Sequence, residues 1–133
     1  MTALLSKFQA RSYCGQLDLP AIADLINLCK QFDHLEDFTS AEELEHEFAD
    51  PDLDLDRDLR LWETADGVLC AFADCWLPES NDIQNGYLFF NIHPDFRNLG
   101  IEAEVFAWAE ARLVEVARSR NLPAKLHTGA RED

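Results

Sequence analysis

Apolar and polar positions along the chain recur with the periods of five strands and three helices. Leu59 and Leu61 alternate with charged residues, as in a strand with one buried face, and Asp66-Gly67 marks a turn before the next strand. The run from Tyr87 is almost wholly apolar, which predicts a central strand covered on both faces. Strands are therefore predicted over residues 8–14, 57–62, 68–77, 87–93 and 124–128.

Helical spacing appears in three places. The first helix has an apolar stripe and a candidate N-cap at Asp18. The second begins at Thr39 or Ser40, since both Thr39/Glu42 and Ser40/Glu43 have capping-box spacing. The third and longest covers residues 101–121. The predicted order is β-α-α-β-β-β-α-β in one domain over residues 1–133, with fold class α/β, an α+β layered arrangement.

The net charge of the chain argues against some classes of binding partner. The 133 residues carry a net charge of −15, and acidic side chains dominate residues 33–58. Such a surface repels nucleic acid and anionic membranes, so neither is an expected partner. The acidic run is either a solvated face or a surface that attracts a cationic amine or polyamine substrate. The N-terminal sequence has no secretory pattern and no stretch is long and apolar enough to span a bilayer, so a cytoplasmic location is expected.

The cysteines and histidines do not predict a metal centre. The four cysteines form no C-x-x-C pair and have apolar neighbours, so they are expected to be buried thiols. The odd spacing of Cys70 and Cys75 within one strand predicts opposite faces of the sheet. The four histidines are dispersed, and we expect no metal site.

The most informative stretch joins the fourth strand to the long helix. The strand ends at Pro94, a short loop carries Arg97 and Gly100, and the helix begins at once. A helix N-terminus offers unpaired N–H groups to an anion, and glycine permits close approach of a ligand. Arg97 would add attraction for phosphate. A pyrophosphate is a reasonable ligand, although many strand-loop-helix units contain an arginine and a glycine.

The segment IHPDFRNLGI, residues 92–101, resembles the V-H-P-x-x-R-x-x-G-I/L segment of the GNAT superfamily of N-acetyltransferases. The element order is similar as well. The resemblance implies a GNAT-like acyl-CoA N-acyltransferase fold with a mixed, mostly antiparallel sheet. It also implies direct transfer of an acyl group from acetyl-CoA or another acyl-CoA to a small amine or a peptide amine. The residues it implies for binding acyl-CoA are Phe90, Asn91, Ile92, Arg97, Asn98, Leu99, Gly100, Ile101 and Glu102.

Three departures from the family pattern qualify this expectation. Glu102 replaces the second small residue of the phosphate loop, where it either repels phosphate or points outward. The chain stops soon after the fifth strand, so it is expected to lack the family's C-terminal helix and two strands. A homodimer, or a partner chain, is then expected to cover the edge of the fifth strand.

The third departure is that the fourth strand has no carboxylate to act as general base. Asp74 and Tyr87 are the catalytic candidates, followed by Glu79, Asn91 and His93, and each also has a structural interpretation. Besides the N-acyltransferase, two hypotheses stay open. One is a catalytically degenerate GNAT-like module that binds a ligand or a protein. The other is an acidic protein-interaction domain without a nucleotide ligand.

Overall fold

The computed structural model describes residues 8–128, which form one five-stranded sheet with strand order β1-β2-β3-β4-β5. The pairs β1–β2, β2–β3 and β3–β4 are antiparallel, and β5 is parallel to β4. The predicted element order and the mixed, mostly antiparallel sheet are confirmed. The elements are β1 Gln9–Ser12, α1 Leu19–Phe32, α2 Ala41–Glu47, β2 Leu59–Glu63, β3 Leu69–Trp76, β4 Gln84–Ile92, α3 Ile101–Arg120 and β5 Ala124–Thr128.

The sheet separates two hydrophobic cores. Helix α3 packs on one face, where Val105 and Ala109 meet Leu88 and Ile92 of β4. Helices α1 and α2 cover the other face, where Ile22 of α1 belongs to the cluster around the inward side chains of β2 and β3. This is the layered arrangement expected when one helix stripe covers each sheet face. Among residues 8–128, no helix is both long and apolar enough to cross a bilayer.

The N-termini of α1 and α2 differ in their capping interactions. Ser40 and Glu43 form a complete capping box at α2, while Thr39 instead bonds Asn27. At α1 the predicted side-chain cap by Asp18 is wrong. The Asp18 carboxylate instead accepts hydrogen bonds from the Arg11 guanidinium, at 2.7 and 2.9 Å, and from the Cys14 N–H. Arg11 lies on β1, beside the start of α1. The Arg11 bond lowers the Asp18 pKa.

A β-bulge in β3 corrects the prediction for the cysteines. The register with β2 shifts between Trp62 and Glu63, so that Cys70 is an extra residue between two paired positions. Cys70 and Cys75 therefore both belong to the core beneath α3 rather than to opposite faces. Burial raises their pKa values to about 11 and about 12, which keeps both thiols protonated. Cys14 is exposed, contrary to expectation, because it follows β1 in an open turn.

Strand β4 begins at Gln84, three residues earlier than predicted. The sequence suggested a polar loop there, but the Gln84 side chain is fully buried and bonds Arg120 at 2.7 Å and the Pro78 carbonyl at 2.8 Å. The prediction that this strand is covered on both faces is also wrong. Phe89, on the α1 side, is 48% exposed, because α1 and α2 leave this part of the sheet open.

Candidate functional site

The loop between β4 and α3 leaves the first turn of the helix accessible. Asn98 and Gly100 both have positive φ, 65° and 96°, which turns the chain sharply into the helix. Gly100 is the N-cap and no side chain caps the helix, so its first N–H groups keep their capacity to bind an anion. A Cβ at Gly100 would have open space around it. Leu99 is half exposed, while Ile101 is buried and fixes the helix start in the core.

Arg97 is engaged by the protein itself. Its Nε donates to the Ile92 carbonyl at 2.9 Å, and its Nη atoms lie 3.3 and 3.5 Å from the carboxylate oxygens of Asp33. The guanidinium also lies over the Phe32 ring, 5.2 Å from its centre. The loop is thereby tied to the C-terminal end of α1, and part of the charge that sequence analysis assigned to phosphate is already neutralised.

The register of β4 shows which main-chain groups face away from β3. The His93 N–H donates to the Cys70 carbonyl at 2.7 Å, which makes Ile92 and Ala71 a non-hydrogen-bonded pair. By alternation the main-chain groups of Asn91 face β3, while those of Phe90 and Ile92 face the other way. The Ile92 carbonyl is occupied by Arg97 and by the Cys29 thiol, which donates at 3.2 Å.

Within the described residues, β5 pairs with β4 only from Gln84 to Leu88. Beside the remaining part of β4 lies a cavity of about 360 Å³, called here the β4-edge cavity. Its charged lining mixes signs, since Lys30 and Arg97 face Asp33 and Glu102. Its lining residues are Cys29, Lys30, Asp33, Leu35, Phe89, Phe90, Asn91, Ile92, Arg97, Asn98 and Glu102.

A second cavity, of about 510 Å³, lies between the open part of the sheet and α2. It is called here the acidic cavity, because five of its lining residues are carboxylates and one is a lysine. The acidic lining residues are Asp37, Glu43, Glu47, Asp50 and Asp74. Several aromatic side chains form its remaining walls, namely Phe38, Phe48, Phe72, Trp76 and Phe89.

Asp74 projects from β3 into the acidic cavity without a hydrogen bond or ion pair to any residue in the 8–128 range. Burial raises its pKa to about 7, and the negative charges of Glu47 and Asp58 add to the rise. A carboxylate with a pKa near neutrality can both accept and release a proton under ordinary conditions. Of the sequence-predicted base candidates, Asp74 is the one that combines a position in this cavity with a raised pKa.

The two cavities share Lys30, Phe89 and Asn91, so they adjoin across β4. Lys30 is nearly buried, and its Nζ donates to Asp37 at 2.7 Å and to the Thr39 hydroxyl at 2.8 Å. These bonds hold the connection between α1 and α2 beside both cavities. The Asn91 side chain therefore lies at the junction, although its main chain faces β3.

The other candidates lie elsewhere. Tyr87 stacks on His127 with ring centres 4.8 Å apart and contacts Trp76, and it lines neither cavity as residues 8–128 form them. The ring of His93 accepts a hydrogen bond from the Asp95 N–H at 3.0 Å, which stabilises the turn after β4. Glu79 lines separate grooves beyond β3.

Three residues that line the cavities, Glu47, Lys30 and Phe89, were not predicted as site residues from the sequence. The spacing of Glu43 and Glu47 could have indicated a shared helix face, since residues four apart are neighbours on a helix. Nothing in the apolar run from Tyr87 distinguishes Phe89 from a core residue. No cluster of metal-ligating side chains occurs in the described part of the chain, residues 8–128.

Comparison with known proteins gives structural matches only: no protein-family model and no curated protein matches the chain. A GCN5-related N-acetyltransferase from Sphaerobacter thermophilus is similar at 30% identity with a TM-score of 0.74. The match covers 89% of this chain and 35% of that protein, so this chain spans about a third of its length.

For two further similar structures, the match includes most of both chains. A possible acetyltransferase from Clostridium difficile 630 is 13% identical with a TM-score of 0.64, over 96% of this chain and 82% of that one. Arabidopsis thaliana Naa50, solved with the bisubstrate analogue CoA-Ac-MVNAL, is 10% identical with a TM-score of 0.63, over 92% and 72%. From its loop, its sheet order and these neighbours, the chain has the fold of the GNAT N-acetyltransferase superfamily.

Proposed function

We propose that this chain is an N-acyltransferase that transfers an acyl group from acetyl-CoA or another acyl-CoA directly to an amine. One observation carries the proposal. A cavity at the unpaired part of β4 adjoins a second cavity that holds the unpartnered carboxylate of Asp74. A donor in the first and an acceptor in the second would meet at the shared wall of Phe89 and Asn91.

The donor would bind through main-chain groups. The N–H groups at the start of α3, after Asn98 and Gly100, would receive the pyrophosphate. The main-chain groups of Phe90 and the N–H of Ile92, which face away from β3, would bond the pantetheine arm in the manner of an added strand, while the Ile92 carbonyl already accepts from Arg97 and Cys29. The Naa50 structure, which holds a CoA bisubstrate analogue on the same fold, supports acyl-CoA as the donor.

Asp74 would act as general base. Its carboxylate would take a proton from the acceptor ammonium, and the freed nitrogen lone pair would attack the thioester carbonyl. This attack forms the C–N bond and gives a tetrahedral intermediate, whose collapse breaks the C–S bond. The departing CoA thiolate takes up the surplus proton that the attacking nitrogen still carries. A main-chain N–H aimed at the carbonyl oxygen would stabilise the developing charge. Positioning of the two substrates would supply much of the remaining acceleration.

A specific observation favours a second candidate, a GNAT-like module that binds a ligand or protein without catalysis. Glu102 and Asp33 both line the β4-edge cavity, and Asp33 already neutralises Arg97. Both carboxylates would repel a pyrophosphate. This candidate and the N-acyltransferase differ in whether acyl-CoA binds and reacts.

Thermal unfolding with and without acetyl-CoA tests the proposal. A ligand that binds the folded state raises the Tm by mass action, and we expect such a rise. Incubation with acetyl-CoA and an amine should then release CoA and form the amide, detected by mass spectrometry. Asp74→Asn should keep the Tm rise and lose most amide formation. No Tm rise at millimolar acetyl-CoA would contradict the transferase, and a rise without amide formation from any amine would favour the binding module.

A further inference from the structure

We infer that the acidic cavity selects a small polyamine as acceptor, with at least two ammonium groups on a short carbon skeleton. The inference rests on the proposed function, because it names the substrate class of that acceptor site. It depends on three properties of the cavity: its net charge, the positions of its carboxylates and its aromatic walls.

Apart from Asp37, the carboxylates of the acidic cavity have no cationic partner among the residues that the structure describes. Its single lysine, Lys30, is paired with Asp37. Asp74 and Glu47 have no hydrogen bond or ion pair within the part of the chain that the structure describes. Glu43 and Asp50 accept hydrogen bonds from main-chain N–H groups, at 2.9 and 2.8 Å, and neither is paired there with a cation. Glu43, Glu47 and Asp50 therefore face the cavity without a cationic partner, and Asp74 adds a fourth negative charge once it is ionised.

These charges come from two sides of the cavity. Asp74 belongs to the sheet, whereas Glu43 and Glu47 lie four residues apart on one face of α2. A ligand with one ammonium group bound at Asp74 would leave Glu43 and Glu47 of α2 without a positive charge beside them. Because like charges in one cavity destabilise each other, a second positive charge on the same molecule would relieve both groups at once.

The aromatic walls of the acidic cavity also favour a polyamine. Trp76, Phe89 and Phe38 are 37%, 48% and 70% exposed, so each presents ring surface to a ligand. Such rings attract ammonium groups and also cover the methylene carbons between them. An acceptor with a carboxylate would meet the like charges of Glu43, Glu47 and Asp50 and no free cation among these lining residues. The cavity therefore favours a compact dication over an amino acid or an acidic peptide.

Three amines of equal chain length test this inference by calorimetric titration of the free protein. Butane-1,4-diamine should bind about tenfold or more tightly than butylamine, and 4-aminobutanoate should bind more weakly than either. Diamine affinity should fall as salt rises, since exposed charges are screened within about 10 Å at 0.1 M. Equal binding of diamine and butylamine, or preferred binding of 4-aminobutanoate, would overturn the inference.

A pair of variants on α2 locates the effect. Glu47→Gln should weaken diamine binding about fivefold to tenfold and butylamine binding much less. Glu42→Gln, an exposed change on the same helix that does not line the cavity, is the matched control and should alter neither. Equal losses in the two variants would show general electrostatics rather than a site. Circular dichroism of both variants confirms that each is folded.

The two proposals fail separately. If acetyl-CoA raises the Tm but butane-1,4-diamine and butylamine bind equally well, the polyamine inference is overturned and the proposed transferase activity is not. Diamine binding without any response to acetyl-CoA would overturn the transferase, and the cavity would then be a polyamine-binding site. When both substrates bind, butane-1,4-diamine should be acylated with a KM at least tenfold below that of butylamine.

Discussion

Arg97 and Asp33 form an ion pair that joins the loop before α3 to the C-terminal end of α1, with Nη1 3.3 Å from Oδ1. The two residues are 64 positions apart in the sequence. Asp33 is the C-cap of α1, where the helix dipole disfavours a carboxylate. Arg97 compensates for this, so the arginine assigned to phosphate by the sequence also stabilises a helix end.

Asp33→Asn should increase affinity for acetyl-CoA. The change removes a negative charge from the β4-edge cavity and releases the guanidinium of Arg97 toward the phosphates. We expect Kd to fall about threefold to tenfold, measured by calorimetric titration at low salt. Asp24→Asn, an exposed change on the same helix, is the control and should leave Kd unchanged. A weaker complex in Asp33→Asn would mean that the ion pair positions the loop for the ligand.

Glu102→Gln should also strengthen acetyl-CoA binding. Glu102 lies in the first turn of α3 and lines the β4-edge cavity. Loss of its charge removes repulsion from a pyrophosphate at the helix N-terminus, at the small cost of a favourable dipole interaction. The Tm rise with acetyl-CoA should exceed that of the unaltered protein, and Glu110→Gln on the exposed side should not. An unchanged rise would show that Glu102 points away from the phosphates.

Asp74→Asn should change how stability depends on pH. Because the pKa of Asp74 is raised to about 7, the folded state holds its proton from pH 4 to 7 while the unfolded chain loses it. The contribution of Asp74 is therefore fully present below pH 4 and is lost as pH rises through 7. Ionisation then costs on the order of 3–4 kcal/mol, and Asn avoids it.

Urea unfolding at pH 5 and pH 8 measures this difference. Asp74→Asn should stabilise the protein at pH 8 relative to the unaltered chain and much less at pH 5. The rate of acyl transfer should rise with an inflection near pH 7 in the unaltered protein only. A stability difference that is equal at both pH values would refute the raised pKa.

Arg112→Met should destabilise the fold, although Arg112 lines neither the β4-edge cavity nor the acidic cavity. Arg112 Nε donates to Asp58 Oδ1 at 2.6 Å, and Asp58 is only 2% exposed. Removing the guanidinium leaves a buried carboxylate without its cation, which typically costs about 3–5 kcal/mol. Arg118→Met, on the exposed face of the same helix, should cost less than about 0.5 kcal/mol. Chemical denaturation at pH 7 measures both, and equal losses would contradict this account.

The element order could be predicted because local patterns specify it. The stripe of α1, the Ser40/Glu43 box and Pro94 each act within a few residues of the chain. The loop at Arg97 and Gly100 was predictable for the same reason, since the positive φ of glycine and the helix start are adjacent in sequence. Each of these features can be predicted from neighbouring residues alone, without the tertiary packing.

The acidic cavity could not be predicted as a site, because it depends on what the helices leave uncovered. Asp74 was a candidate base, but its raised pKa follows from burial and from Glu47, which lies on α2. Phe89 has the sequence character of a core residue and becomes a cavity wall only because α1 and α2 do not cover it. The Arg97–Asp33 pair likewise requires the tertiary fold.

The extra residue at Cys70 has a consequence for the chemistry of the opposite face. After the bulge, Ala71, Ala73 and Cys75 point under α3, while Phe72 and Asp74 point toward α2. Unbroken alternation from Leu69 would have given the reverse, with a carboxylate inside the apolar core. A single inserted amino acid thus sets the phase of the strand and places the Asp74 carboxylate in the acidic cavity instead of in the apolar core beneath α3.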